Sequence, residues 1–319
     1  MRNIVVGLAA CVLQSSLCLC SAQEPSIQNR AVRVQAVQLY DLIPAGETLV
    51  GVGERGLVMR THDEGKTWSS TFAPTKRTLV AAAFLGDKIG VAVGHGGAVV
   101  RTDDGGSTWK SVNVRDAGSD SLLGVTALAD GRFVAVGAFG LYIESLDKGV
   151  SWARKQVIAD EFDRHLAKII DSGKSLILVG ESGTIARSMD QGATWNKIPS
   201  PYEGSFFGGF TLRDGSLLIY GMRGNIYRSQ DDGSTWSKVP FGSTSAVNGG
   251  SAGQDGQVVL VGNDGLIATS ADDGRSFSLA ATSEGSPLAG ARFGKSGALV
   301  YVGYLSNGRI DKEKKAEKP

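Results

Sequence analysis

Beyond residue 20 the chain has no cysteine; its only three, Cys11, Cys18 and Cys20, crowd the N-terminus. The rest can form no disulfide and has no thiolate for catalysis or for binding a metal. Histidine is almost as scarce. His62, His95 and His165 are the only three, and none stands at ligand spacing from another, so neither a metal nor any other cofactor is expected. Neither sign of charge dominates, since 33 Lys and Arg face 32 Asp and Glu. A neutral chain lacks the field that drives binding to nucleic acid or to a membrane surface. Proline is rare at 8 residues, whereas glycine reaches 44 of 319, about twice its ordinary share and without the triplet period of collagen. The glycines must therefore serve turns.

Only one stretch has the look of a membrane-directed segment. Arg2 precedes an apolar run over 4–13, polar Gln14, Ser15 and Ser16 interrupt it, and Cys20, Ser21 and Ala22 offer small residues before Gln23. Residues 1–22 read as a secretory signal peptide rather than a span. A bulky Leu19 before Cys20 fits lipid attachment poorly. The expectation is a periplasmic protein that keeps no membrane insertion after cleavage.

The remaining sequence repeats one phrase. Thr61-His62-Asp63-Glu64-Gly65-Lys66-Thr67-Trp68 returns at 102–109, 145–152, 188–195, 229–236 and, with Phe277 in place of Trp, 270–277. Its aspartates, Asp63, Asp104, Asp147, Asp190, Asp231 and Asp272, lie 41, 43, 43, 41 and 41 residues apart. A period near 42 with one turn motif per period predicts an all-β propeller built from four-stranded antiparallel blades. All five tryptophans, Trp68, Trp109, Trp152, Trp195 and Trp236, occupy the same slot. Each is expected to plug the groove beside the next blade, worth at most about 5 kcal/mol for roughly 200 Å² buried. The repeated carboxylates are expected to cap their own turns, because one per blade cannot converge on a catalytic or calcium site.

Within one period, 79–84, 89–93, 98–102 and 108–114 read as strands, with a Gly-x-x-Gly reversal at 94–97 between the second and third. Glycine on either side supplies the positive φ such a reversal needs. A truncated seventh unit follows at 286–310 without an Asp motif. Seven blades are therefore expected over residues 23–310, the last completed by an N-terminal strand at 27–34, with six blades as the alternative. Residues 311–319, rich in Lys and Glu, are expected to be a disordered tail.

Strand order puts the Gly-x-x-Gly reversals and the inter-blade connections on one face. That face presents Glu54, Arg55, His95, Phe139, Glu181, Arg223, Asp264 and Tyr304, joined from the connections by Arg77, Arg164 and Tyr202; loops on a rigid scaffold are where binding residues gather. On the opposite side Arg60, Arg101, Arg187 and Arg228 end third strands. They are read as bonding locally between blades rather than forming a basic ring.

The combination of Val-Gly-x-x-Gly with Thr/Ser-x-Asp-x-Gly-x-Thr-Trp resembles the photosystem II stability/assembly factor family, within the wider BNR (Asp-box) superfamily that includes sialidases. The resemblance covers about residues 40–310. It implies an exported, monomeric, non-enzymatic propeller whose partner is a protein, an envelope membrane complex that it helps to assemble or stabilise. The alternative is a sialidase-like glycoside hydrolase or carbohydrate-binding propeller. Arg55, Arg223, Tyr304 and Glu181 supply residue types such an enzyme needs, but the Arg-Ile-Pro motif found early in sialidases is missing here.

Overall fold

The computed structural model describes residues 33–158 and 162–312. The expected signal peptide lies outside them, as does the tail beyond Lys312. Seven antiparallel sheets follow one another along the chain, at 39–72, 79–111, 122–154, 166–197, 206–238, 247–281 and 288–310. In blade one, β1 (Leu39–Ala45), β2 (Thr48–Gly53), β3 (Leu57–Thr61) and β4 (Ser69–Phe72) pair in sequence order, with Leu42 opposite Gly51 and Val50 opposite Arg60. First strands touch in cyclic order from blade to blade, and Leu288–Phe293 of blade seven returns to β1. The ring is closed, with seven blades rather than six.

No single core exists. Seven apolar seams lie between neighbouring blades, and so second strands such as Leu176–Gly180 and Val258–Gly262 are buried at every residue. Covered on both sides, they need no polar alternation. The outer strands are the opposite. The stretch expected over 108–114 forms ladder pairs only at Lys110–Ser111, and three other blades also end in two-residue strands. Short, polar outer edges offer little template for pairing with another chain.

The reversals differ from expectation in which glycine does what. Gly94, the first of its pair, is extended, and a Cβ there would sit 1.9 Å from the Thr78 carbonyl oxygen, which accepts a bond from the His95 N–H. This glycine is needed for close approach, not for positive φ. The left-handed residues are instead the third of each reversal and the closing glycine. In blade three these are Phe139, at φ 52°, and Gly140.

The seventh sheet has three strands among the described residues. Most of the expected closing strand at 27–34 lies outside them, and Val34 already belongs to a short 3-10 turn, Val34–Ala36. Closure is visible in other contacts. Gln38 bridges Tyr304, and the Asn307 amide donates to the Val34 and Val37 carbonyls at 2.6 and 2.8 Å. Leu39, Leu42, Leu57 and Met59 pack against Val300 and Val302.

Candidate functional site

The Asp motifs face away from the reversals, and each is a complete structural device. Asp63 accepts the Thr67 N–H at 2.8 Å and both the Thr67 and Thr61 hydroxyls, while Thr61 Oγ1 accepts the Gly65 N–H. The pattern recurs around Asp104, Asp147, Asp190, Asp231 and Asp272. Donation from the Thr67 hydroxyl and N–H holds Asp63 at about 2, and the equivalent threonines do the same for Asp190 and Asp231. These carboxylates are spent on their own turns.

The aromatic of each motif packs against the preceding blade, not the following one. Trp109 of blade two lies among Val50, Val58 and Ala73 of blade one, and Trp68 of blade one lies beside Val300 and Val302 of blade seven. Only Trp109 is fully buried; Trp68, Trp152, Trp195, Trp236 and Phe277 are half-buried. The reason is the arginine set. Arg60 donates to Ser107 Oγ at 2.6 Å, Arg101 to the Lys148 carbonyl at 2.7 Å and Arg187 to Ser234 Oγ at 2.7 Å. Arg132 reaches the Gln191 carbonyl and Arg309 the Glu64 carbonyl, while Asp214 joins Arg228 to Arg275. Every motif is thus gripped by the blade before it, and its ring is drawn in that direction. The arginines bond locally, as their positions suggest.

On the reversal face, Glu54, Arg55, Arg77, His95, Phe139, Arg164, Arg223, Asp264 and Tyr304 are exposed. The structure brings together those of blades three and four. The Phe139 ring meets His165 edge-on at 5.2 Å, Glu181 accepts the His165 backbone N–H at 2.9 Å, and Arg164 donates to the Ser182 carbonyl. Asp264 accepts from the Ser245 hydroxyl. Tyr202 is instead engaged in packing, stacked on Tyr227 and edge-on to Phe206. Arg55, Glu181, Arg223 and Tyr304 sit on four different blades, and no hydrogen bond or ion pair joins any two of them. Among the described residues no three His, Cys, Asp or Glu side chains gather as a metal site.

The centre of that face was invisible in the repeat. Every first strand carries a bulge one residue after its start, at Tyr40, Val80, Leu123, Ala167, Phe207, Asn248 and Ala289. These residues line an axial cavity of about 350 Å³ together with Asp41, Lys168, Tyr220 and Arg292. The cavity wall consists of the unpaired inner edges of the sheets, whose backbone groups need partners. Side chains from adjacent blades supply them. Asp41 accepts the Ala82 N–H at 3.1 Å; Lys168, Thr126 and Thr211 donate to the Val125, Ile169 and Asp171 carbonyls. Ser251 and Arg292 do the same for the Ala291 and Leu42 carbonyls. Enclosure pushes the Lys168 and Arg292 pKa values down and that of Tyr220 up, with Asp41 opposing the first two shifts and reinforcing the third. The signal for this site was present as charged residues inside otherwise apolar first strands.

The sequence profile described as photosynthesis system II assembly factor YCF48 matches residues 26–143 and 129–265, together more than half of the chain. No curated protein matches the sequence significantly. Among solved structures, one described as YCF48 bound to D1 peptide is 17% identical, with a TM-score of 0.69 over 87% of this chain and 93% of that one. YCF48 from Cyanidioschyzon merolae is 16% identical, with a TM-score of 0.65 over 86% and 94% of the two chains. A streptogramin B lyase superimposes as well, at 13% identity and a TM-score of 0.73 over 88% and 95%. At such identities the structures share the fold, whatever their chemistry.

Proposed function

The chain belongs to the photosynthesis system II assembly factor YCF48 family, and from that premise we propose that it is a non-catalytic scaffold that binds a protein segment on its reversal face. The partner is a subunit of a cell-envelope membrane complex whose assembly or stability it assists, and the propeller acts as a monomer in the periplasm after cleavage before Gln23. One observation carries the reading. The reversals hold Arg55, Phe139, Ser182, Arg223, Asp264 and Leu305 in the left-handed region, at φ between 50° and 59°. A non-glycine residue there costs roughly 1–2 kcal/mol, as it does at Glu64, Lys148, Gln191, Asp232 and Asp273 in the Asp-motif turns. The reversals, one strand nearer the axis, are the ones that ring the central opening. Spending stability to display side chains of differing chemistry around a central opening suits recognition of an extended partner. The relative bound to D1 peptide supports the same use of the fold.

Crosslinking in intact cells, affinity capture and mass spectrometry test the proposal. Recovery of a membrane complex by the native protein, and its loss in the Arg55→Glu/Arg223→Glu variant at unchanged melting temperature, is the expected result. Turnover of a sialoside by the pure protein, abolished by Tyr304→Phe or Glu181→Gln, would overturn it.

A further inference from the structure

We infer that the axial cavity is a carboxylate-binding site in which the Arg292 guanidinium and the Lys168 ammonium receive the anion. Arg292 uses only Nε in the protein, donating to the Leu42 carbonyl at 3.0 Å; its two terminal nitrogens have no hydrogen bond or ion pair with any described residue. Lys168 spends one donor, on the Val125 carbonyl at 3.0 Å. The only carboxylate in the cavity, Asp41, is occupied by the Leu42 and Ala82 N–H groups and makes no ion pair with either cation. Two basic side chains face one carboxylate, and enclosure lowers the pKa of both, a cost that an entering anion would offset. A free guanidinium fork matches the two oxygens of a carboxylate. Glycines in the position after the bulge let neighbouring blades approach closely around the cavity, since a Cβ at Gly124 or Gly249 would sit 2.2 or 1.9 Å from the Ala167 or Ala289 carbonyl oxygen. The mouth above carries Tyr40, Val80, Leu123 and Phe207, the last 39% exposed, with Asn248 as its one amide. The ligand is therefore a carboxylate on an apolar body, either a free small organic acid or the acid group of an entering peptide. This does not depend on the protein-binding reading.

Calorimetric titration of the full mature chain decides it, with phenylacetate against phenylacetamide and N-acetyl-glycyl-phenylalanine against its amide. The acids are expected to bind at least tenfold more tightly than their amides, as charge-assisted bonds require. Lys168→Met should weaken binding about tenfold, whereas Asp41→Asn, which removes the opposing charge, should strengthen it severalfold. An improvement of that sign would not arise from structural damage. Arg292→Lys, which keeps the charge but not the fork, should bind the acids less well while remaining folded by circular dichroism, with any loss of the Leu42 bond read separately as a lowered melting temperature. Saturation by phenylacetate alone identifies a free acid as the source; tighter binding of the peptide acid identifies a peptide. Equal binding of acid and amide, no binding up to about 10 mM, or acid binding indifferent to both Lys168→Met and Arg292→Lys overturns the proposal.

Discussion

The rim and the axis of this propeller are built by opposite rules. On the rim one solution is repeated: an aspartate caps its turn, a ring is tucked under the preceding blade, and an arginine from that blade holds the turn in place. At the axis the backbone bulge repeats in every blade, but the side chains do not. The position after the bulge reads Asp41, Ala81, Gly124, Lys168, Gly208, Gly249 and Gly290 around the ring. A requirement shared by every blade is met the same way in each, so it marks the scaffold. What varies from blade to blade on an otherwise uniform frame is where individual chemistry resides.

The sharpest way to break this contrast is at the rim. Trp109→Ala should cost about 3–5 kcal/mol in denaturant unfolding. The half-buried Trp195 should cost clearly less, and its indole N–H lacks a partner where that of Trp109 donates to the Gly106 carbonyl at 3.1 Å. Equal losses would show that burial does not rank the seams. Gly94→Ala drives a methyl into the Thr78 carbonyl and should destabilise by about 3 kcal/mol. A melting temperature matching the native protein would mean that the reversal relaxes freely.

Acid offers a graded probe of the same rim. The folded Asp63, Asp190 and Asp231 titrate at about 2, against about 3.9 for an unconstrained aspartate. A depressed carboxylate stabilises above its unfolded pKa and loses that contribution as pH falls through the folded value. Stability should therefore be flat above about pH 5 and decline between about pH 4 and 2. Asp190→Asn should flatten that decline, as followed by circular dichroism. The smallest effect on stability belongs to the reversal face. Phe139→Gly relieves a left-handed side chain and should change stability by less than about 1 kcal/mol, while weakening partner capture. A large loss of stability would place Phe139 with the scaffold instead.

Legibility in the sequence followed the same division. Blade number, strand order and the Asp motifs were readable because each physical requirement was printed six times. The direction in which the rings pack was not readable, since a period is the same read forwards or backwards; only the inter-blade arginines settle it. The outer strands came out shorter than their composition suggests because no neighbour lies beyond them. Asp41, Lys168 and Arg292 escaped notice for the converse reason: each occurs once, in a strand otherwise typical of its kind. They become a group only when the ring brings residues 41, 168 and 292 to one axis.

The joint between blades seven and one carries a consequence for the time course of folding. Its bonds link Ser296 to Glu64 and Arg292 to Leu42, 232 and 250 residues apart in the chain, whereas every other seam joins consecutive blades. Neighbouring blades can assemble pairwise from any starting point, as in linear repeat arrays. The last seam must wait until the whole arc is formed, because closing so long a loop is entropically the most demanding step. Pulsed hydrogen exchange during refolding should therefore find amides of Leu299–Gly303 and Leu39–Ala45 protected after those of the central blades. Simultaneous protection of all seven blades would mean that the ring closes as it collapses.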